Sequence, residues 1–293
     1  MNVNSIGVIG AGIMGSGIAQ ALAQSNFDVI LIDVDRAILK RAECRIRQGI
    51  RGEMLLKRKF APSGSAEVLR RIEFSEDLQA LEKADYVIEN VVEKWETKRD
   101  LLRRVDDICP ATCIFAANTS AIPITQIASA TKREPQVIGI HFMNPVPVKP
   151  TVELIRGRRT SELTIRTTED LLSRMGKQWV LVNDSPGFVS NRVLMLAVNE
   201  AICLVHEGVA PAEAVDKIFR ECFGHTMGPL ATADLIGLDT VQLSIEVLSQ
   251  YFGGDKYTAC PLLKEMVADG RLGRKTGRGF YEYEGNDEKH PDI

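Results

Sequence analysis

His141 and Glu153 are the two residues of this chain whose types and spacing most directly suggest chemistry. His141 ends an apolar, β-like run (Val137–His141), and Glu153 lies twelve positions on, inside VELI. Pro145, Pro147 and Pro150 punctuate the interval and can fold the chain back on itself. A strand-end imidazole with a carboxylate brought beside it is a usual way to build a general base near neutral pH. A carboxylate inside an apolar strand also needs a partner, because burying it alone is costly. The chain has four histidines, and His206, His225 and His290 read as structural or solvated.

A second constellation lies near the N-terminus. Gly10-Ala-Gly12-Ile13-Met14-Gly15 follows directly on the apolar run Ser5–Ile9 and opens a segment of helical period. Gly10 permits a tight turn, Gly12 lets the backbone approach a pyrophosphate, and Gly15 allows helix and strand to pack closely. Free N–H groups at the helix start then face the phosphates, so Gly10, Gly12, Ile13, Met14 and Gly15 are read as a cofactor loop. Asp33 ends the next strand eighteen residues after Gly15, where a carboxylate can accept from both ribose hydroxyls. Such a carboxylate repels a 2′-phosphate and favours NAD over NADP.

The elements that must position these residues alternate along the first 180 positions. Strands are expected at 5–9, 29–32, 72–74, 86–89, 113–116, 137–141, 152–155 and 179–182, with helices at 13–25, 36–59, 94–108, 124–129 and 162–175. Strand alternating with helix implies a parallel sheet covered on both faces. The character changes at Asp184–Gly187, after which apolar residues recur at helical spacing, as at Val189, Val193, Leu196, Ala197, Ala201 and Leu204. Further helices are expected at 212–222, 241–251 and 261–268, and FYEY at 280–283 is expected to be extended. The fold class is therefore α/β: a Rossmann-type domain with a mostly parallel sheet over 1–183, followed by an all-helical domain over 184–293.

Bulk properties narrow the function classes. Hydrophobic residues at 45% and charged residues at 26% describe a globular chain, and a net charge of −3 argues against a dedicated nucleic-acid binder. Between Arg36 and Lys59, however, nine Lys or Arg face two Glu, which sets one basic element on an acidic body. Six cysteines form no C-x-x-C pair and no zinc-like spacing, so no metal is expected and the thiols fit a reducing compartment. The uncharged run 6–23 holds five glycines, Ser16 and Gln20, and no Lys or Arg precedes it; it is neither a signal nor a membrane segment. The expected location is cytoplasmic.

Four features share one order: the glycine loop, Asn118-Thr-Ser120, the His141/Glu153 segment, and Ser185-Pro-Gly-Phe-Val-Ser-Asn191-Arg. Together with the C-terminal Lys275-Thr-Gly-Arg-Gly-Phe-Tyr281, they resemble the L-3-hydroxyacyl-CoA dehydrogenase family, and within it the short bacterial 3-hydroxybutyryl-CoA dehydrogenases, over essentially the whole chain. The resemblance implies an NAD-dependent oxidoreductase of fatty acid metabolism that interconverts (S)-3-hydroxyacyl and 3-oxoacyl thioesters. It makes His141 the general base and Glu153 its orienting partner, with Ser120 and Asn191 as hydrogen-bond donors to the substrate oxygen. It places Asn118 and Ser120 at the cofactor and has Glu93, Lys98, Asn144 and Lys275 contact or flank it. It also implies a homodimer through the C-terminal helices, and a site completed when the two domains meet.

The chain departs from that pattern where the family handles CoA. Gly49 stands where the family carries a hydroxyl on the long second helix, and Lys57 or Arg58 takes the place of its lysine in a segment two residues longer. Lys149 and Pro150 follow VPV where an apolar residue and a lysine are commoner. The redox residues are untouched, but the acyl carrier is left open: acyl-CoA, or an acyl carrier protein of a polyketide extender-unit pathway meeting the basic helix. A non-catalytic NAD-binding protein is a third reading, and the presence of Ser120, His141, Glu153 and Asn191 together weighs against it.

Overall fold

The computed structural model describes residues 3–57 and 65–283, with side chains described for all of these except 53–57. Two compact units make up the chain, Met1–Ser185 and Pro186–Ile293.

The first unit is built on one eight-stranded sheet of order β3-β2-β1-β4-β5-β6-β7-β8. The strands are β1 (Ser5–Ile9), β2 (Asp28–Ile32), β3 (Ile72–Ser75), β4 (Tyr86–Glu89), β5 (Ile114–Ala117), β6 (Val137–His141), β7 (Thr151–Arg156) and β8 (Gln178–Asn183). Helices α1 (Ile13–Gln24), α2 (Arg36–Lys57), α3 (Ser65–Arg70), α4 (Trp95–Ile108), α5 (Ile124–Ala128) and α6 (Glu162–Arg174) join them. All eight strands were legible as short apolar runs. The ends differ from expectation by about one residue, as capping and hydrogen-bond definitions allow. Three further elements, α3 and 3-10 turns at Leu78–Lys83 and Glu134–Gln136, are too short to show a helical period.

Every residue of β4, β5 and β6 is buried, as strands covered on both faces must be. Neighbours from β3 to β6 run parallel, and only β6–β7 is antiparallel. The register aligns Ile9 with Glu89, Glu89 with Ala117, and Ala117 with Gly139. The residues that follow β1, β4, β5 and β6 are thereby brought to one edge of the sheet, the carboxyl edge where α/β folds bind ligands.

The second unit contains α7 (Ser190–His206), α8 (Ala212–Phe223), α9 (Pro229–Ile236), α10 (Leu238–Phe252) and α11 (Pro261–Ala268). Their apolar stripes form a core that includes Val198, Ile202, Leu230, Val241, Ile245 and Leu263. The expectation for FYEY is corrected here: the segment is a pinned loop with isolated bridges at Gly273–Arg278 and Arg278–Glu282, not a strand. Two buried aspartates hold it. Asp234 accepts from the N–H groups of Phe280 and Tyr281 and from the Tyr283 hydroxyl, each at 3.0 Å. Asp216 accepts from the Tyr281 hydroxyl at 2.9 Å and from Leu230 N–H at the start of α9. The N–H groups of Phe280 and Tyr281 are committed to a carboxylate and that of Tyr283 bonds the Gly277 carbonyl, so the segment closes on its own loop instead of forming a ladder. Among the described residues, no helix is long and apolar enough to cross a membrane.

Candidate active site

The glycine loop leaves β1 and enters α1. Gly10 has φ +95°, a backbone conformation that L side chains rarely adopt. A Cβ at Gly15 would run into the Gly10 carbonyl, whereas a Cβ at Gly12 would meet nothing within 4 Å. One glycine is therefore required by packing, and the other lines open space that a ligand can approach. Asp33, at the end of β2, accepts from Ala11 N–H through Oδ2 at 2.8 Å, which fixes its carboxylate beside the loop. These features fit a dinucleotide: unbonded helix-start N–H groups for the pyrophosphate and a carboxylate for the ribose.

Gly12→Ala is expected to leave the thermal midpoint within about 2 °C of wild type while weakening NADH about tenfold or more, because the methyl group enters only the ligand space. Gly15→Ala is expected to lower both melting temperature and affinity. Melting curves and NADH fluorescence titrations of the two variants check this contrast.

Beyond β4 and β5 the loops 90–93 and 118–121 are tied together. Asn118 donates through Nδ2 to Asn90 Oδ1 at 2.5 Å and accepts at Oδ1 from Phe142 N–H at 3.1 Å, linking the ends of β4, β5 and β6. Glu93 Oε1 accepts from Ser120 N–H at 3.0 Å, from Ala121 N–H at 3.1 Å and from the Thr119 hydroxyl. Glu93 thus shapes the turn that carries Ser120.

Lys98, in the first turn of α4, lies beneath this turn with no exposed surface. Its Nζ donates to both carboxylate oxygens of Glu89 at 2.8 Å and sits 3.5 Å from Glu93 Oε2. Burial pushes the Glu89 carboxyl upward in pKa, and the Lys98 charge opposes that shift. Of the two roles that the resemblance offered Lys98, contacting or flanking a cofactor, this geometry fits flanking: it holds Glu89 and Glu93.

His141 and Glu153 are register partners across the antiparallel β6–β7 pair. Opposed residues share a face of the sheet, and His141 Nδ1 lies 2.9 Å from Glu153 Oε2. Both are largely removed from solvent, at 8% and 9% exposure. The proline-rich loop between the two strands does fold the chain back, and Lys177 holds it. Lys177, 7% exposed, donates from Nζ to the carbonyls of Val146 at 2.6 Å and Lys149 at 2.7 Å.

The remaining residues fall elsewhere. Asn144 is exposed in the loop that follows β6. Asn191 lies in the first turn of α7, in the second unit. Lys275, also in the second unit, is exposed and ion-paired with Asp239 at the start of α10. The Lys57 side chain lies outside the described residues.

Sequence reasoning did not single out Glu89 or Lys177. Glu89 carried a usable signal, the same one that marked Glu153: a carboxylate in an apolar strand that must find a cation. Lys177 carried none, because its acceptors are backbone carbonyls nearly thirty residues away.

Known proteins were compared with the chain as a whole. The profile of the 3-hydroxyacyl-CoA dehydrogenase NAD binding domain matches residues 5–185, and that of the C-terminal domain of 3-hydroxyacyl-CoA dehydrogenase matches 187–283. A probable 3-hydroxybutyryl-CoA dehydrogenase of Bacillus subtilis is 47% identical over 284 residues, covering 97% of this chain and 99% of its own length. A second, from Deinococcus radiodurans, is 48% identical over 277 residues, covering 94% and 99%. The crystal structure of (S)-3-hydroxybutyryl-CoA dehydrogenase from Ralstonia eutropha superimposes with a TM-score of 0.89 at 41% identity, covering 96% of this chain and 99% of that one.

Proposed function

Since the chain belongs to the 3-hydroxyacyl-CoA dehydrogenase family, with residues 5–185 forming its NAD-binding domain, we propose that it interconverts short (S)-3-hydroxyacyl-CoA and 3-oxoacyl-CoA thioesters. The observation that carries this reading is the His141–Glu153 pair, set in register at the carboxyl edge of the sheet with a 2.9 Å contact. NAD, when bound, supplies the hydride acceptor for oxidation or the donor for reduction; the protein has to supply proton transfer and charge stabilisation.

In oxidation, the C3–H bond yields a hydride while the 3-hydroxyl O–H bond yields a proton to His141 Nε2. An Nδ1–H donating to Glu153 fixes the tautomer in which Nε2 is the proton acceptor. The carboxylate then stabilises the imidazolium that forms, as the third group of a triad does. Ser120, on the turn shaped by Glu93, hydrogen-bonds the substrate oxygen as it becomes a carbonyl; for Asn191 the same role is what the family resemblance implies. In reduction, His141 returns the proton to the same oxygen. Asp33 and the Gly10–Gly15 loop hold ribose and pyrophosphate, with Asn118 and Asn144 around the rest of the cofactor; for Lys275 a cofactor role is what the family resemblance implies. The exposed Val189 and Val193 support reading the helical unit as a homodimer face.

A second reading, transfer on an acyl carrier protein, draws support from Gly49. A Cβ there would lie 2.5 Å from Gln20 Oε1, so a larger residue would have to displace the end of that side chain, and glycine stands where the resemblance expects a hydroxyl for CoA. The exposed face of α2 still carries Lys40, Arg41, Arg47 and Arg51, a surface that attracts an anionic handle of either kind. NADH oxidation measured with acetoacetyl-CoA, and with the same acyl group on a carrier protein, separates the two. A kcat/KM at least about tenfold higher on CoA is expected. The reverse preference overturns CoA, and no oxidation of NADH with either overturns the activity.

A further inference from the structure

Arg45 of α2 reaches the glycine loop from the protein side. Its Nη1 donates to Ser16 Oγ at 2.8 Å and to the Ala11 carbonyl at 3.4 Å. Ser16, 2% exposed, lies in the first turn of α1. Its hydroxyl donates to the Gly12 carbonyl at 2.6 Å, with the Ala11 carbonyl also in reach at 3.1 Å. An arginine and a serine therefore help hold two successive carbonyls of the loop inward, the Gly12 carbonyl together with the first helical bond from Ser16 N–H at 3.0 Å.

The consequence follows from peptide geometry. In a trans peptide the C=O and the N–H of the same plane point in opposite directions. Holding the Ala11 and Gly12 carbonyls inward turns the N–H groups of Gly12 and Ile13, both exposed residues, the other way. The preceding two donors are already committed, Gly10 N–H to the Ile32 carbonyl at 2.8 Å and Ala11 N–H to Asp33 Oδ2 at 2.8 Å. Among the described residues, no acceptor is recorded for the N–H groups of Gly12 and Ile13. They are the orphan donors of a helix start, and their direction decides what anion they can hold.

We propose that Arg45 is a positioning residue for dinucleotide binding, acting through Ser16 to keep the Gly12 and Ile13 N–H groups aimed at the pyrophosphate. The guanidinium also places a permanent positive charge behind the loop that receives two phosphate charges. Arginine suits the task because its planar fork reaches a hydroxyl and a carbonyl together, while an ammonium serves as a point charge. Donors fixed before the ligand arrives need no ordering on binding, which is where affinity is gained. The inference rests on the reading that NAD binds along Gly10–Gly15.

The test compares ADP-ribose, which carries the pyrophosphate, with adenosine, which does not, by displacement of bound NADH from the full chain. Arg45→Ala is expected to weaken ADP-ribose about tenfold and adenosine less than about twofold, with Arg45→Lys regaining part of the loss. Ser16→Ala is expected to weaken ADP-ribose in the same selective way, and the double variant to be no weaker than the worse single one, because the two act in series. A packing staple between α1 and α2 would instead weaken both ligands alike. Equal losses, or unchanged ADP-ribose affinity in Arg45→Ala, overturn the proposal. If Arg45→Ala loses its cooperative melt, Ser16→Ala decides by the same comparison. Wild-type protein that fails to bind NADH overturns the cofactor reading itself, a separate outcome.

Discussion

Replacing His141 with glutamine is expected to lower kcat by about 10²–10⁴-fold, the usual contribution of a positioned general base. NADH affinity should stay within about twofold, since in the proposed mechanism the ring acts on the substrate proton and not on the dinucleotide. The substitution is suited to the site. Glutamine fills similar volume and can still donate to Glu153, so the buried carboxylate keeps a partner. What it removes is the ring nitrogen that accepts the substrate proton in the proposed mechanism. Steady-state kinetics with acetoacetyl-CoA and a fluorescence titration with NADH measure the two quantities. Retained turnover would sink the mechanism, and a parallel loss of NADH binding would place His141 in cofactor recognition instead.

The second large effect is on stability. Lys98→Met is expected to cost about 3–5 kcal/mol, because it leaves a buried carboxylate without its cation. Glu89 is 1% exposed and receives two of its hydrogen bonds from Lys98. With the ammonium gone, burial and the neighbouring Glu93 charge push the Glu89 carboxyl further above the ordinary range, opposed only by the Val91 N–H bond. A carboxyl raised in the folded state binds its proton more tightly there than in the unfolded chain. The penalty is therefore complete above the folded pKa and relieved as pH falls through it. Lys98→Met should be less destabilised at about pH 5.5 than at about pH 8. Adding Glu89→Gln should recover part of the loss and flatten the pH dependence. Urea melts of the single and double variants at both pH values measure this. An unchanged midpoint in the single variant would mean that the buried pair contributes nothing to the fold.

The same variant bears on the site. Lys98 also lies 3.5 Å from Glu93, whose other oxygen holds the turn of Ser120. A looser Glu93 would let that turn drift, so activity lost in Lys98→Met should exceed what its unfolded fraction explains. Residues with no exposed surface can therefore matter to turnover through the backbone they hold.

Much of this was visible in the chain before folding, for identifiable reasons. The strands declared themselves because β4, β5 and β6 are covered on both faces and read as apolar runs, with Glu89 and His141 standing at the ends of β4 and β6. The glycine loop did so because a positive φ at Gly10 and the close approach at Gly15 exclude other residues. His141 and Glu153 stood out as polar residues in apolar strands. FYEY misled because alternation of aromatic and charged residues mimics a strand, while its donors are taken by Asp234. Lys98 was reached through the resemblance, as a residue contacting or flanking the cofactor; only packing shows that it points inward to Glu89.

By itself, the sequence determined the identities and order of the reactive groups: a loop that can admit a pyrophosphate, an acceptor for ribose, and an imidazole followed by a carboxylate. These are local properties of backbone conformation and side-chain type, written within stretches of a few residues. Tertiary structure decided what those groups face. The antiparallel turn of β7 against β6 put Glu153 opposite His141. The parallel register of β1, β4 and β5 brought Glu93 to the Ser120 turn, and the packing of α2 on α1 carried Arg45 to the glycine loop. Those pairings join residues from 12 to 34 positions apart, and they exist only once burial of the apolar strands has paired the elements that carry them.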